Sequence, residues 1–149
     1  MQRAKASPGL GEEIALRRRG AGMTENEIGT HVVEAAIEVH RELGPGLLES
    51  VYEAALLIEL EARDLAVESQ VPVPIRYKGT PFELGFRADL IVGNKVIVEL
   101  KSVEQLSAAH RKQIQTYLRL TGLKLGYLLN FGAALMKDGI VRAVNNLPE

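Results

Sequence analysis

The stretch of sequence that decides the fold is RADLIVGNKVIVELK, residues 87–101. Leu, Ile and Val dominate two runs within it, and Gly93-Asn94 separates the runs. Two short apolar runs around such a turn predict a β-hairpin. Asp89 in the first run and Glu99 in the second are acids among apolar residues. The register of this hairpin therefore determines whether the two acids meet.

Two registers are open to the hairpin, and they place the acids differently. A two-residue loop pairs Val92 with Lys95 and sends Asp89 and Glu99 to opposite sides of the sheet. A three-residue loop, 93–95, sets Asp89 directly opposite Glu99. Its other pairs are all apolar: Val92–Val96, Leu90–Val98 and Ala88–Leu100. We predict the second register, because burial favours pairing apolar residues with apolar ones.

In that register two carboxylates and one ammonium group converge, since Lys101 lies two residues beyond Glu99 and shares its face. Partly buried carboxylates repel each other unless a proton or a cation intervenes. Mg²⁺, with Mn²⁺ as a substitute, binds one or two carboxylates and keeps several waters. It would lower the pKa of a bound water, and Lys101 could hold that water or stabilise charge on a phosphoryl group. The alternative is a set of structural charges at the rim of the sheet, without a metal.

The rest of the chain predicts an α/β sandwich of mixed sheet and flanking helices, in the order ααβββαββ. Thr24 and Glu27 form a capping box at the first helix, and Gly44-Pro45-Gly46 ends it. A second helix runs from about Leu48 to Arg63. Its apolar face is predicted as Leu48, Val51, Ala55, Ile58 and Ala62.

The strands and the third helix follow from similar signals. Alternation through residues 71–77 predicts a first strand, which its two prolines confine to an edge of the sheet. Lys78-Gly79 then turns the chain into a strand that alternates from Phe82 to Val92. The remaining elements are a strand at 96–100, a helix capped by Ser107 and reaching Leu120, and strands at 125–131 and 140–144.

Composition excludes several classes of protein. The chain has 149 residues, of which 46% are hydrophobic and 25% charged, so it forms a single domain. Its 18 basic and 19 acidic residues exclude a strongly basic nucleic-acid binder and imply weak affinity without a partner or a dimer. The absence of cysteine excludes disulfides and thiol catalysis. No apolar run approaches the roughly 20 residues that cross a bilayer. A cytoplasmic protein is expected, which fits the lack of cysteine.

Residues 1–22 differ in composition from the rest of the chain. They contain five basic residues, two acidic residues and four glycines, without an apolar run typical of a secretory signal. We expect a basic, disordered leader, with Met23 as the natural start and 23–149 as the folded domain. The alternative is a basic arm that contacts nucleic acid.

Polar residues on two helices could join the site. Glu49 begins the second helix, where an acid also simply favours the helix dipole. On the third helix, Gln113 and Tyr117 are i, i+4 neighbours, and His110 precedes Gln113 by three residues. Such a stripe would suit a phosphate or sugar contact, or could be a polar boundary of the core. The same helix carries Arg111, Lys112 and Arg119, a modest basic surface.

Together these residues resemble the PD-(D/E)XK nuclease superfamily, and within it the small GxxExxY proteins. Four motifs carry the resemblance, which spans about residues 24–147. They are Gly46-x-x-Glu49-x-x-Tyr52, Asp89 as the first acid, Glu99-Leu100-Lys101 as ExK, and Gln113 to Tyr117 as QxxxY. One departure is that Ala88, rather than proline, precedes Asp89.

The resemblance implies a restriction-endonuclease-like core and Mg²⁺-dependent hydrolysis of phosphodiester bonds. Glu49, Asp89 and Glu99 would then be metal-site acids, with the Leu100 carbonyl as an extra ligand. Lys101 would be the catalytic lysine. Gln113 and Tyr117, with His110 from the polar stripe, would position substrate.

Two functions are consistent with these features. The first is a metal-dependent nuclease acting on DNA, with RNA as an alternative substrate that the same residues would serve. The second is a non-catalytic nucleic-acid or protein interaction module on the same fold, since fold does not fix function. A homodimer or a protein partner is possible in either case, and no membrane association is expected.

Overall fold

The computed structural model describes residues 22–148. All but the last residue of the predicted leader lie outside this part of the chain. The helices are α1, Glu25–Leu43; α2, Glu49–Ala62; and α3, Ala108–Thr121. The strands are β1, Val67–Tyr77; β2, Thr80–Val92; β3, Val96–Lys101; β4, Leu125–Asn130; and β5, Ile140–Val144, the last preceded by a 3₁₀ helix at Met136–Gly139.

The five strands form one mixed sheet in the order β1-β2-β3-β4-β5. Only β3 and β4 are parallel, and α3 provides the crossover between them. The predicted order of elements is confirmed, as is the position of the proline-containing strand at an edge. One core cluster lies between the sheet and α1 and α2, and a second lies between the sheet and α3. The fold is thus a sheet with helices on both faces.

Side-chain caps fix the ends of two helices. The Thr24 hydroxyl accepts a hydrogen bond from the Glu27 backbone N–H at 3.1 Å, which confirms the predicted start of α1. Ser107 does the same for the His110 N–H at 3.2 Å. The His110 ring completes that capping box, because its Nδ1 accepts from the Ser107 N–H. These caps satisfy backbone donors that have no partner within the helix.

The predicted apolar face of α2 is wrong. Leu48 and Ile58 are 75% and 70% exposed, whereas the buried positions are Tyr52, Leu56 and Leu60. Apolar residues surround this helix on nearly every side, so periodicity alone does not select the buried face. The selection comes from Tyr52, whose ring stacks on Phe131 with centroids 4.4 Å apart.

Tyr52 also holds the connection between α1 and α2. Its hydroxyl donates to the Gly44 carbonyl at 2.6 Å and accepts from the Leu47 N–H at 3.0 Å. Both partners lie in the turn that leads to Glu49. The ring is fully buried, so these bonds replace contacts with water.

We expect Tyr52→Phe to lower the free energy of unfolding by about 0.5–1.5 kcal/mol, because the Gly44 carbonyl and the Leu47 N–H lose their hydrogen bonds to the hydroxyl. Urea denaturation measures the loss. Tyr77→Phe is the matched control, since Tyr77 is 62% exposed. Equal stabilities of the two variants would show that the buried hydroxyl contributes nothing.

Within the part of the chain that the structure describes, no helix is long and apolar enough to cross a membrane.

Candidate active site

The hairpin between β2 and β3 adopts the predicted three-residue register. Leu90 pairs with Val98, and Val92 pairs with Val96, which leaves residues 93–95 as the loop. The predicted pair of Ala88 and Leu100 is wrong, because the ladder ends at Leu90. Ala88 packs instead in the cluster beneath α3, whereas Leu90 lies in the cluster beneath α1 and α2. The two strands therefore separate where the acids stand.

Where the backbone ladder between β2 and β3 ends, the side chains of the two acids provide the hydrogen bonds between the strands. Asp89 Oδ2 accepts from the Leu100 backbone N–H at 2.8 Å. Glu99 Oε1 accepts from the Asp89 backbone N–H at 3.2 Å. Each acid thus binds the backbone of the opposing strand, and the two carboxylates meet as the register predicts.

Glu99 is the buried acid of the pair. It is only 6% exposed. Burial first, and then the charge of Asp89, raise its pKa from 4.5 to about 9, while the nearby Lys101 ammonium opposes the shift. At neutral pH without a cation, Glu99 therefore keeps its proton and shares a hydrogen bond with Asp89.

Lys101 ends β3 on the same side as Glu99 and is half-buried. The chain beyond it is held in place from β4. The buried Asn130, which pairs with Lys101 in the parallel ladder, accepts at its side-chain oxygen from the Val103 and Gly132 N–H groups, both at 3.0 Å. Asn130 was not among the predicted site residues. Its position at the end of a strand, as a polar residue in an apolar run, is the signal that could have indicated it.

Helix α3 brings Tyr117 to the acids. The charges of Glu99 and Asp89, after burial, raise the pKa of the Tyr117 hydroxyl, which places this residue in their field. Its ring stacks on Phe86 with centroids 3.7 Å apart and planes 5° from parallel. Gln113 lies one turn earlier on α3 and is exposed. His110 uses Nδ1 for the helix cap, which leaves Nε2 as the ring nitrogen open to a ligand.

Glu49 stands apart from the acid pair. It lines an open pocket with Leu47, Leu48, Ser50 and Ser102. The Ser102 hydroxyl donates to the Leu47 carbonyl at 2.6 Å, so the start of α2 adjoins the residue that follows Lys101. Among residues 22–148, no three His, Cys, Asp or Glu side chains are close enough together to hold a metal. The structure therefore brings Asp89 and Glu99 together without Glu49.

Gln70 and Glu53 were not predicted as site residues. Gln70 contacts Asp89, and Glu53 contacts Gln70. The Gln70 side-chain amide donates to Asp89 Oδ1 at 3.3 Å and to both oxygens of Glu53 at 3.0 and 3.1 Å. Gln70 lies opposite Asp89, between the pairs Ser69–Leu90 and Val71–Ala88, and its φ is 51°. A residue other than glycine is strained at this φ, and such strained residues cluster at functional sites.

The donor set fits a divalent cation. Asp89 and Glu99 present carboxylate oxygens within one network, and Mg²⁺ and Mn²⁺ prefer such ligands. A cation at the pair would also replace the proton that Glu99 otherwise retains. The two carboxylates can therefore bind a divalent cation at the point where β2 and β3 separate.

Comparison with known families identifies the superfamily of the chain. A family model for the PD-(D/E)XK nuclease superfamily matches residues 26–143, and the chain therefore belongs to that superfamily. The match omits only the first residue of α1 and the last residue of β5 from the helices and strands of the fold. Nucleases of this superfamily generally use divalent metals.

A search of solved structures finds a similar chain described as "Crystal structure of SSO0001", with a TM-score of 0.47 and 20% sequence identity. The similarity covers 95% of this chain and 80% of that one. No curated protein matches the sequence significantly.

Proposed function

We propose that this protein is a Mg²⁺-dependent nuclease that hydrolyses phosphodiester bonds in DNA, and that it belongs to the GxxExxY group of the superfamily. The observation that carries the proposal is the meeting of Asp89 and Glu99 at the end of a ladder, with Lys101 on the same side. Mn²⁺ would substitute for Mg²⁺. A cytoplasmic location fits a protein that acts on DNA.

Each residue has a role that follows from its place. Asp89, Glu99 and the Leu100 carbonyl would hold the metal, and Glu49 would contact it through water from the start of α2. The metal would supply a water of lowered pKa and neutralise charge on the phosphate. Lys101, as a compact ammonium, orients the attacking water and stabilises the charge that develops on the phosphoryl oxygens. Tyr117, Gln113 and His110 contact the substrate along α3.

Hydrolysis of a panel of DNA substrates tests the proposal. Supercoiled, linear duplex, branched and single-stranded DNA are incubated with the full chain in Mg²⁺, Mn²⁺ or EDTA, and a matched RNA is included. We expect cleavage of at least one DNA form that needs the metal and is lost in Asp89→Ala. Activity that survives in Asp89→Ala, or an inert wild type on every substrate, would contradict it.

Gln70 provides a further prediction, because it holds one oxygen of Asp89. Gln70→Gly removes the amide but suits a φ of 51°. We expect it to lower the rate of hydrolysis by roughly 10- to 100-fold, as expected for a residue that orients a metal ligand, while the stability stays the same or rises. Gln70→Ala should lose both activity and stability, since alanine keeps the strain without the hydrogen bonds.

Hydrolysis rates and thermal unfolding of both variants provide the measurements. Gln105→Ala, at an exposed amide in the loop after β3, is the control and should leave both properties unchanged. A Gln70→Gly protein with the wild-type rate would show that this contact does not matter to the site.

A further inference from the structure

The near-zero net charge of the chain conceals a strong separation of charge. Helices α1 and α2, on one face of the sheet, contain nine glutamates and a single cation, Arg41. Helix α3, on the opposite face, contains Arg111, Lys112 and Arg119 and no acid. The side of the sheet on which Tyr117 approaches the acids is therefore the cationic side.

A second cationic element adjoins the site. Residues 72–87 of β1 and β2 form a two-stranded ribbon, called here the β-arm. Among the described residues 22–148 it pairs only with itself, because the β2–β3 ladder includes no residue before Leu90. The β-arm carries Arg76, Lys78 and Arg87 against one acid, Glu83. It leads directly into Asp89, and the stacking of Phe86 on Tyr117 joins its base to α3.

The two faces of the β-arm differ in chemistry. Arg87 pairs with Pro72, and Arg76 pairs with Pro81. The ladder has an irregularity between Val73 and Ile75, where β2 contains extra residues, but residues 72 and 76 are alternate positions of β1, so both arginines lie on one side. The opposite side carries Tyr77 and Phe82, which are 62% and 47% exposed, and it is also the side of Phe86, which stacks on Tyr117 of α3. The arginine side therefore faces away from α3. Cations on one face and exposed aromatic rings on the other are the two kinds of side chain that bind nucleic-acid backbones and bases.

The shape of the β-arm favours duplex DNA. The turn at Lys78-Gly79, where both residues have positive φ, makes a narrow tip of two residues. A two-stranded ribbon fits the major groove of B-form DNA, where both of its faces gain contacts. The major groove of A-form RNA is too deep and narrow for the same insertion. An isolated ribbon is only marginally stable in water, so a bound duplex would also stabilise the β-arm.

We propose that the β-arm enters the major groove of duplex DNA and, together with α3, holds the duplex across the acid pair. Arg76 and Lys78 contact phosphates near the tip, and Arg87 contacts them near Asp89. The inference rests on the proposed function for the choice of DNA as ligand. It predicts that binding strength and hydrolytic chemistry depend on different residues.

Binding of a fluorescently labelled 30-base-pair duplex to the full chain tests the β-arm. Anisotropy is measured with Ca²⁺ in place of Mg²⁺, over a series of salt concentrations. We expect the double variant Arg76→Ala/Lys78→Ala to bind about 10-fold more weakly at 0.1 M salt. The slope of log K against log salt should fall by about two, since each phosphate contact contributes about 0.9.

The control is Lys124→Ala/Lys137→Ala, which removes the same charge at two exposed lysines outside the β-arm and α3. It should bind like the wild type. Equal weakening in both double variants would overturn the proposal, because only net charge would then matter. A wild-type dimer that becomes a monomer in the β-arm variant, measured by light scattering, would also overturn it and assign the β-arm to contacts between copies.

The outcomes separate this inference from the proposed function. If the β-arm variant binds like the wild type while the wild type still cleaves DNA, the β-arm proposal fails and the nuclease proposal stands. If the β-arm variant binds weakly but the wild type cleaves no substrate in any metal, the nuclease proposal fails and the binding surface stands.

Discussion

Lys101→Ala is expected to reduce the rate of DNA hydrolysis by about 10²- to 10³-fold while leaving the affinity for Mn²⁺ within a few-fold of the wild type. The ammonium acts on charge that develops in the transition state, and the loss of one such donor costs about 10²–10³ in rate. Lys101 is half-buried beside Glu99, and its ammonium group has no lone pair with which to coordinate a metal. Single-turnover cleavage and calorimetry measure the two quantities separately.

A matched control removes a lysine of the same kind at another position. Lys124→Ala, at an exposed site, should retain the wild-type rate and metal affinity. If Lys101→Ala cleaves DNA at the rate of this control, the lysine is a structural charge at the rim of the sheet. A parallel fall in rate and in metal affinity would mean that it acts through the metal site and has no separate role.

Glu99→Gln is expected to abolish hydrolysis and yet to stabilise the metal-free protein at alkaline pH. The pKa of Glu99 is raised from 4.5 to about 9 in the folded chain. The folded state therefore binds more protons than the unfolded state between these values, and stability falls as pH rises through this window. Glutamine cannot ionise, so the variant should be more stable by about 2 kcal/mol or more at pH 8, and equally stable near pH 4.

Thermal unfolding in EDTA at pH 4 to 9 measures the difference. Addition of Mg²⁺ at pH 8 should raise the melting temperature of the wild type but not of Glu99→Gln, because only the wild type gains a ligand on folding. Glu104→Gln, at an exposed acid in the loop after β3, is the control and should follow the wild-type curve. A Glu99→Gln protein that is less stable at pH 8 would contradict the assigned burial and charge of this pair.

The part of the site that the sequence predicted was the part set by local pairing. Residues 93–95 separate two apolar runs, and only one register buries both, so the meeting of Asp89 and Glu99 follows from alternation alone. Helix caps at Thr24 and Ser107 were predictable for the same reason, since each depends on a few neighbouring residues.

The features that the sequence did not predict depend on contacts between distant elements. The buried face of α2 is set by the stacking of Tyr52 on Phe131, the residue that follows β4, and no helical period predicts this contact. Gln70 lies in a strand, and nothing in the sequence distinguishes it from an ordinary surface residue. Its positive φ and its bridge from Glu53 to Asp89 exist only once α2, β1 and β2 are assembled.

The separation of charge between the two faces of the sheet was only partly predictable from the sequence. Every glutamate of α1 and α2 is visible in the sequence, but the net charge of −1 suggested only weak binding of nucleic acid. The fold changes that conclusion, because it places the acidic helices on one face of the sheet and α3 on the other. Net charge describes a chain, whereas a ligand meets the local field of one surface.

Calorimetric titration of the metal-free protein with Mn²⁺ at pH 7.5 tests the central claim most directly. The account predicts that wild type binds Mn²⁺ and that Asp89→Asn and Glu99→Gln each weaken binding by at least about 10- to 100-fold. Asp138→Asn, at an exposed acid in the 3₁₀ helix, should bind as the wild type does. Wild-type affinity in both acid-pair variants, or no Mn²⁺ binding by the wild type, would contradict the claim that this pair holds the metal.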